Sequence, residues 1–179
     1  MSAISKSATV SEKIDLYDNA KNIVQIAEYR APVADGLNKL FVRIWFMNSD
    51  GLFLMQQRVS NTARHPNKWC ATSGCVRHNE NSLNTVVREA REELGIKVDS
   101  AQAVMVATIK HPDDFVDIWL VKTDTEHHDL ILQVDEVQNA AWMSADEILA
   151  YCRAQKCTPS VPNELKIIQD FLNFKDGNY

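Results

Sequence analysis

Two neighbouring stretches of the chain are rich in bulky apolar and aromatic residues. They are KLFVRIWFM at residues 39–47 and LFLMQQR at residues 52–58, and Asp50-Gly51 lies between them. Such residues favour β-strands, and Asp-Gly is a strong signal for a tight turn. The pattern therefore predicts a β-hairpin.

Residues 82–94 instead carry apolar side chains at the spacing of an amphipathic helix. These side chains are Leu83, Val86, Val87, Ala90 and Leu94. Gly95 follows the last of them, and glycine favours the left-handed backbone that caps the C-terminus of a helix. We therefore predict a helix that ends at Gly95.

Three more strands and two more helices are expected downstream. The strands are predicted at residues 103–109, 115–122 and 140–143. Ser144 and Glu147 form a capping box for a helix to about Ala154, and a final helix follows the helix-breaking Pro159 and Pro162. Because strands and helices mix without a regular repeat, we predict an α/β fold, a sandwich around a central mixed sheet.

The composition narrows the class of protein. With 179 residues, 45% of them hydrophobic, the chain can bury the core of one domain, which we place at residues 14–179 after a flexible N-terminus at residues 1–13. The net charge of −5 argues against binding to a nucleic acid polymer. No apolar run approaches the roughly 20 residues that span a membrane, and no secretory signal is recognisable, so a soluble cytoplasmic protein is predicted.

The four cysteines form two C-x4-C pairs, Cys70 with Cys75 and Cys152 with Cys157. This spacing is loose for a zinc site, and no cluster of histidines accompanies it. Unpaired, buried thiols are the favoured interpretation.

Three glutamates lie close together on the helix predicted at residues 82–94. Glu89, Glu92 and Glu93 are spaced at i, i+3 and i+4, which places them on one polar flank. A solvated helix face with intrahelical ion pairs is one interpretation. The other is a site for a hard divalent cation such as Mg²⁺, which binds carboxylate oxygens and leaves positions for phosphate and water. Arg88 would then neutralise part of the cluster.

The stretch GCVRHNENSLNTVVREAREELGI, residues 74–96, resembles the G-x5-E-x7-R-E-U-x-E-E-x-G-U motif of the Nudix hydrolases, in which U is aliphatic. Its fixed positions are met by Gly74, Glu80, Arg88, Glu89, Glu92, Glu93 and Gly95. Flanking segments such as PNKW at residues 66–69 and LQVDEVQNAAWMSADEI at residues 132–148 also resemble a bacterial branch of this superfamily.

The resemblance implies an α/β/α sandwich that hydrolyses a nucleoside diphosphate linked to another moiety, X. It implies Mg²⁺ or Mn²⁺ held by Glu89, Glu92 and Glu93, often with a main-chain carbonyl near Gly74. Glu80 and Arg88 are expected to orient these ligands. The motif binds only the diphosphate, so it does not identify X, and a homodimer is one assembly that it leaves open.

Water attack on a diphosphate also requires a general base. Glu89 or Glu92 can fill this role, and so can a carboxylate on a loop, for which Asp135 and Glu136 are candidates. A solvated loop is the favoured interpretation of the last two residues.

Polar residues inside the apolar strands are candidates for binding substrate. Arg43 and Arg58 could hold phosphate, and Asp117 raises the same question. Trp45 or Trp119 could stack on a base, although a tryptophan in a strand usually belongs to the core.

Two rival functions share this fold. The region around Ser73 also resembles the isopentenyl diphosphate isomerases, but Ser73 stands where those enzymes need a cysteine, and the nearest thiol is Cys75. A non-catalytic nucleotide-binding module is the second rival, although such modules tend to lose glutamates that are all present here.

Overall fold

The computed structural model describes residues 12–175 and Gly177. Its strands are β1 (Lys13–Tyr17), β2 (Ile23–Glu28), β3 (Lys39–Met47), β4 (Phe53–Arg58), β5 (Trp69–Cys70), β6 (Thr72–Cys75), β7 (Ala103–Lys110), β8 (Asp114–Lys122) and β9 (Val137–Met143). Its helices are α1 (Ser82–Leu94), α2 (Ala145–Arg153) and α3 (Val161–Lys175), with short 3₁₀ turns at Ser100–Gln102 and His127–Asp129.

The predicted flexible N-terminus lies outside the described residues, apart from Glu12 and Lys13 at its end. Strand β1 begins at Lys13 and pairs with β2 in a separate antiparallel hairpin. The periodicity did not predict this hairpin. The reason is visible in β2, whose side chains are mostly exposed and show no alternation between buried and exposed positions.

Seven strands form the central mixed sheet in the order β5-β4-β3-β8-β7, with β6 also paired to β3 and β9 to β4. Strands β3 and β8 run parallel, and the other pairs are antiparallel. The predicted mixed α/β architecture is therefore confirmed. The short strands β5 and β6, of two and four residues, were not predicted.

The predicted hairpin between β3 and β4 is present but brief. Only Phe46 with Leu54 and Met47 with Phe53 pair across it, and Gly51 adopts a positive φ of 74° in the turn. Along residues 41–44 of β3 the neighbour is β6 instead. The switch from β4 to β6 places Gly74 beside Val42, near the middle of the sheet.

The two faces of the sheet are covered by different helices. Helix α1 packs Val86, Ala90 and Leu94 against the alternate β3 side chains Val42, Ile44 and Phe46. On the other face, Trp45 and Ile118 pack with α2 and α3 through Ile148, Leu165 and Ile168. This is the three-layer sandwich expected for a sheet with both faces apolar.

Helix α1 has the predicted boundaries and the predicted C-terminal cap, and Asn81 caps its N-terminus. The Asn81 side chain accepts a hydrogen bond from the Asn84 main-chain N–H at its start. Gly95 has a φ of 72° at its end, and its N–H donates to the Arg91 carbonyl. The capping box of Ser144 and Glu147 on α2 is also present.

No helix within the described residues is long and apolar enough to cross a membrane.

Candidate active site

The glutamates of α1 are not equally exposed. Glu89 and Glu93 are buried, at 9% and 4% exposure, whereas 42% of the Glu92 side chain is exposed. Of the two interpretations of this flank, the solvated helix face therefore does not apply to Glu89 and Glu93. Strands β6 and β4 extend under this side of the helix and cover both carboxylates.

Gly74 makes room for Glu89. A Cβ atom built at Gly74 would lie only 1.9 Å from Glu89 Oε1, so any other residue would displace this carboxylate. Gly74 has no positive φ. The glycine of the motif is thus required here for close approach and not for a turn.

Glu80 and Arg88 form a bidentate ion pair below the start of α1. Arg88 Nε donates to Glu80 Oε1 over 2.8 Å, and Nη2 donates to Glu80 Oε2 over 3.0 Å. Arg88 Nη2 also donates to the Cys75 carbonyl over 3.1 Å. Burial raises the pKa of Glu80, but the hydrogen bonds from Arg88 and Thr85 outweigh it and leave the pKa below its ordinary value.

The same guanidinium reaches two of the predicted metal ligands. Arg88 Nη1 donates to Glu89 Oε1 over 2.5 Å and to Glu92 Oε2 over 3.1 Å. Arg77 Nη1 lies 3.5 Å from Glu92 Oε1 on the solvent side. Arg88 therefore contacts both Glu89 and Glu92 while Glu80 holds it, and the role of this pair in orienting metal ligands stays a prediction.

Glu93 has a different partner. Its Oε2 accepts a hydrogen bond from Gln56 Nε2 over 2.6 Å, and Gln56 Oε1 in turn accepts one from Thr72 Oγ1 over 2.8 Å. All three side chains are buried. The sequence pattern did not assign a role in the site to Gln56 or Thr72. The available signal for Gln56 was the pair of adjacent polar residues at the end of the apolar strand FLMQQR.

Burial changes the acidity of both inward-facing glutamates. It raises the pKa of Glu89 to about 7, although Arg88 opposes the shift. It raises the pKa of Glu93 to about 8, with further contributions from the negative charges of Glu89 and Glu136. Two carboxylates that are costly to ionise therefore lie side by side on the buried side of α1.

The donor set fits a hard divalent cation. Such an ion binds carboxylate oxygens and offsets the cost of ionising buried glutamates. Across residues 12–175 and Gly177, however, no three His, Cys, Asp or Glu side chains are arranged to hold a metal ion. Glu92, the exposed member of the three, is paired with Arg88 and Arg77 in this structure.

Arg43 does not join the glutamates. Its neighbours Val42 and Ile44 face α1, so Arg43 points to the opposite face of the sheet. There its Nε donates to Glu164 Oε1 of α3 over 3.2 Å. The predicted role in holding phosphate is therefore not retained for Arg43.

Arg58, the second predicted phosphate ligand, binds its own loop. Nε donates to the Arg64 carbonyl over 3.1 Å, and Nη2 donates to Thr62 Oγ1 over 2.9 Å. The next residue, Val59, donates its N–H to the Glu136 carbonyl. Arg58 thus organises a loop that lies beside the residue 136 segment.

Trp45 and Trp119, the two tryptophans considered for stacking on a base, belong to the core, as favoured from the sequence. Trp45 is fully buried and meets Phe53 edge to face, with 5.5 Å between ring centroids. Trp119 is 8% exposed and donates to Ser82 Oγ over 2.8 Å.

Asp117 accepts hydrogen bonds from Lys21 Nζ and Thr108 Oγ1, each over 2.6 Å, so its charge is already paired.

The loop that carries Asp135 and Glu136 lies next to Glu93. Asp135 and Glu136 are both exposed, which agrees with the solvated-loop interpretation. Glu136 nevertheless contributes to the raised pKa of Glu93. The Gln133 N–H of the same loop donates to the Glu93 carbonyl over 3.0 Å. This loop therefore borders the acidic site.

The four cysteines are free thiols. Cys70, Cys75 and Cys157 are buried, as favoured from the sequence, and Cys152 is partly buried. Cys75 packs with Ile14 and Leu16 of β1. As the strand neighbour of Gly74, it points to the sheet face opposite Glu89.

Comparison with known proteins agrees with this geometry. Residues 38–171 match the family model described as the NUDIX domain. An uncharacterized Nudix hydrolase of Yersinia pestis is 29% identical over 168 residues, covering 92% of this chain and 88% of that protein. One of Listeria monocytogenes is 28% identical over 141 residues, covering 78% of this chain and 83% of that protein.

Solved structures share the fold. DR0079 of Deinococcus radiodurans superposes with a TM-score of 0.74 at 19% identity, covering 87% of this chain and 98% of that one. The NUDIX domain of NrtR from Shewanella oneidensis, crystallised with ADP ribose, has a TM-score of 0.62 at 15% identity, covering 82% and 94%.

Proposed function

The chain belongs to the Nudix hydrolase superfamily and is a hydrolase of pyrophosphate bonds, and we propose that it uses Mg²⁺ or Mn²⁺ to cleave a nucleoside diphosphate linked to another moiety, X. The observation that carries this proposal is the pair of buried carboxylates, Glu89 and Glu93, on one helix. Gly74 leaves space for one and Gln56 binds the other.

We assign the metal ligands to Glu89, Glu92 and Glu93. A bound cation supplies charge screening for the diphosphate and lowers the pKa of the attacking water. To complete the ligand set, Glu92 would have to part from Arg88 Nη1, and its side chain is 42% exposed. Glu80 keeps Arg88 in place through two hydrogen bonds.

Glu89 and Glu92 are the proposed acceptors for the proton of the attacking water. The pKa of about 7 for Glu89 belongs to the metal-free chain, and a bound cation would lower it, so Glu89 would be ionised and able to accept a proton near neutral pH. Glu92 is the more exposed of the two and is reachable from solvent. A contact between Arg58 and the substrate stays a prediction. The loop that Arg58 organises lies beside the segment that contains Glu136.

The environment of the Cys75 thiol argues against an isomerase. Burial raises the pKa of its thiol to about 12, and the thiol points away from Glu89. Ser73 faces the same way as Cys75, because the two lie two residues apart on β6. Neither side chain is placed to move a proton at a substrate bound to the glutamates.

A substrate panel tests the proposal. The full chain is incubated with Mg²⁺ and ADP-ribose, nucleoside diphosphate sugars, dinucleoside polyphosphates, nucleoside triphosphates and isopentenyl diphosphate. ADP-ribose comes first because the Shewanella NUDIX domain binds it. We expect at least one nucleotide-type diphosphate to be cleaved, with solvent ¹⁸O entering a phosphate, and EDTA to abolish cleavage.

Two other outcomes would contradict the proposal. Formation of dimethylallyl diphosphate would establish the isomerase. Tight binding of ADP-ribose with no cleavage of any substrate would establish a non-catalytic module. The cytoplasmic location and a homodimer stay predictions, and light scattering of the purified protein measures the second directly.

A further inference from the structure

Gln56 lies in the sheet directly under the acidic side of α1. It is 3% exposed, and both ends of its amide are hydrogen-bonded to buried side chains, Glu93 and Thr72. The bond to Glu93, at 2.6 Å, has the short length expected when a carboxylate accepts from an N–H. Gln56 joins β4 to Glu93, 37 residues further along the chain.

The partners on both sides set which end of the Gln56 amide faces Glu93. A glutamine amide has a donor end and an acceptor end of similar size, so its partners set its orientation. An ionised Glu93, the form that binds a cation, only accepts hydrogen bonds, so the N–H₂ group faces it and the Thr72 hydroxyl donates to Oε1. The opposite orientation would place two acceptors, Gln56 Oε1 and Oε2 of the ionised Glu93, against each other with no proton between them.

The partner of Glu93 is neutral, and this matters for cation binding. An arginine or lysine at this position would cancel the charge of the carboxylate, whereas an amide holds it in place and leaves its charge uncompensated. A carboxylate has about four lone-pair positions. Gln56 occupies one of them. Lone pairs therefore remain for a cation.

We propose that Gln56, held by Thr72, is a positioning residue that orients the Glu93 carboxylate for binding a divalent cation. The inference rests on the proposed function, because it takes Glu93 as a metal ligand. Gln56 acts through Glu93 and contacts neither the substrate nor the cation. Partners that orient metal-binding carboxylates in this way are typically worth about 10–100-fold in metal affinity.

The first test uses two adjacent glutamines. Gln56→Met removes the amide but keeps the length of the side chain. Gln57→Met is the matched control, because Gln57 lies on the other face of β4 and donates only to the Asn67 carbonyl, over 3.0 Å. Mn²⁺ is titrated into the metal-free full chain without substrate and followed by electron paramagnetic resonance. We expect the Mn²⁺ Kd to rise about 10–100-fold in Gln56→Met and to change less than about twofold in Gln57→Met.

The second test changes the residue that holds Gln56. Thr72→Val removes the hydroxyl with little change in shape, and Thr72→Ser restores it. We expect weaker Mn²⁺ binding in Thr72→Val and near wild-type binding in Thr72→Ser. With a substrate from the panel, excess Mg²⁺ should restore much of the activity of Gln56→Met. A purely structural role would give a folding defect that Mg²⁺ does not correct.

The outcomes of these tests distinguish a failure of the positioning role from a failure of the proposed hydrolase function. Equal Mn²⁺ affinity in wild type and Gln56→Met, or an equal loss in Gln57→Met, would refute the positioning role. A wild type that binds no Mn²⁺ would overturn both proposals. If the wild type binds Mn²⁺, the variants follow the expected order and no panel substrate is cleaved, the positioning role stands and only hydrolysis fails.

Discussion

Two buried glutamates on opposite faces of the sheet, Glu93 and Glu164, show how a partner determines the use of a carboxylate. Glu93 on α1 is 4% exposed and Glu164 on α3 is 3% exposed. Glu164 accepts from Arg43 Nε over 3.2 Å and from Trp45 Nε1 over 3.3 Å. Glu93 accepts from the neutral amide of Gln56.

The difference lies in charge compensation. Arg43 neutralises Glu164 and ties α3 to β3, so this carboxylate serves packing. Nothing among the described contacts of Glu93 brings it a positive charge at hydrogen-bond distance, and burial raises its pKa to about 8. A buried carboxylate without a cation of its own is costly for the fold, and binding a metal ion offsets that cost.

The largest expected effect is a loss of activity that distinguishes Glu93 from Glu164. Glu93→Gln keeps size but removes the charge that would bind the cation, and we expect kcat/KM to fall about 10³-fold, equal to about 4 kcal/mol. Glu164→Gln should retain kcat/KM within about threefold per folded molecule, because Glu164 lies on the other face. Equal losses in the two variants would show that the comparison is wrong.

The next effect concerns stability and the partner of Glu164. Arg43→Met leaves a buried carboxylate without its cation, and we expect the free energy of unfolding at pH 8 to fall by about 3 kcal/mol. Arg91→Met is the control, because Arg91 is an exposed arginine on α1. Urea unfolding measures both. If Arg43→Met were as stable as Arg91→Met, the ion pair would not be structural, and a substrate role for Arg43 would return.

A smaller effect appears when pH is varied in EDTA. Above the ordinary glutamate pKa of 4.5 the unfolded chain loses a proton that native Glu93 keeps up to about pH 8. Glu89, with a pKa of about 7, behaves in the same way. The native state binds more protons in this window, so stability should fall as pH rises from about 5 to 8.

Melting temperatures at pH 5 to 9 measure this fall. Glu93→Gln should reduce it, because glutamine has no proton to lose, and should make the metal-free protein more stable than wild type at pH 8 to 9. Mn²⁺ should raise the melting temperature of wild type most at high pH, where the ligands are ionised. A wild type that gains stability from pH 5 to 8 would contradict the assigned pKa shifts.

The smallest effect is expected for a substitution of Cys70. Its thiol is buried, and the charges of Glu93 and Glu164 contribute to its raised pKa. Cys70→Ala removes one sulfur from the core and should cost about 1 kcal/mol of stability. Metal affinity and kcat/KM should stay within about twofold, because Cys70 binds neither cation nor substrate in our proposal. Stoichiometric zinc in the purified protein, lost in Cys70→Ala, would contradict the carboxylate site.

Local signals in the sequence were sufficient for the elements that carry the site. Apolar spacing and Gly95 defined α1 to the residue, because periodicity and capping depend only on near neighbours. The resemblance of residues 74–96 to the Nudix motif pointed to the glutamates and to Arg88, and their roles in metal binding stay predictions. The hairpin of β1 and β2 escaped prediction, because β2 has no buried face to impose a period of two.

Only the tertiary structure decided how the glutamates are used. Spacing placed Glu89, Glu92 and Glu93 on one flank, but the strands under α1 buried two of them and left Glu92 exposed. Alternation along β3 places Arg43 on one face with Trp45. The contact of Arg43 with Glu164 of α3 joins segments 121 residues apart. Gln56 meets Glu93 across 37 residues and Thr72 meets Gln56 across 16, and no local pattern records such contacts.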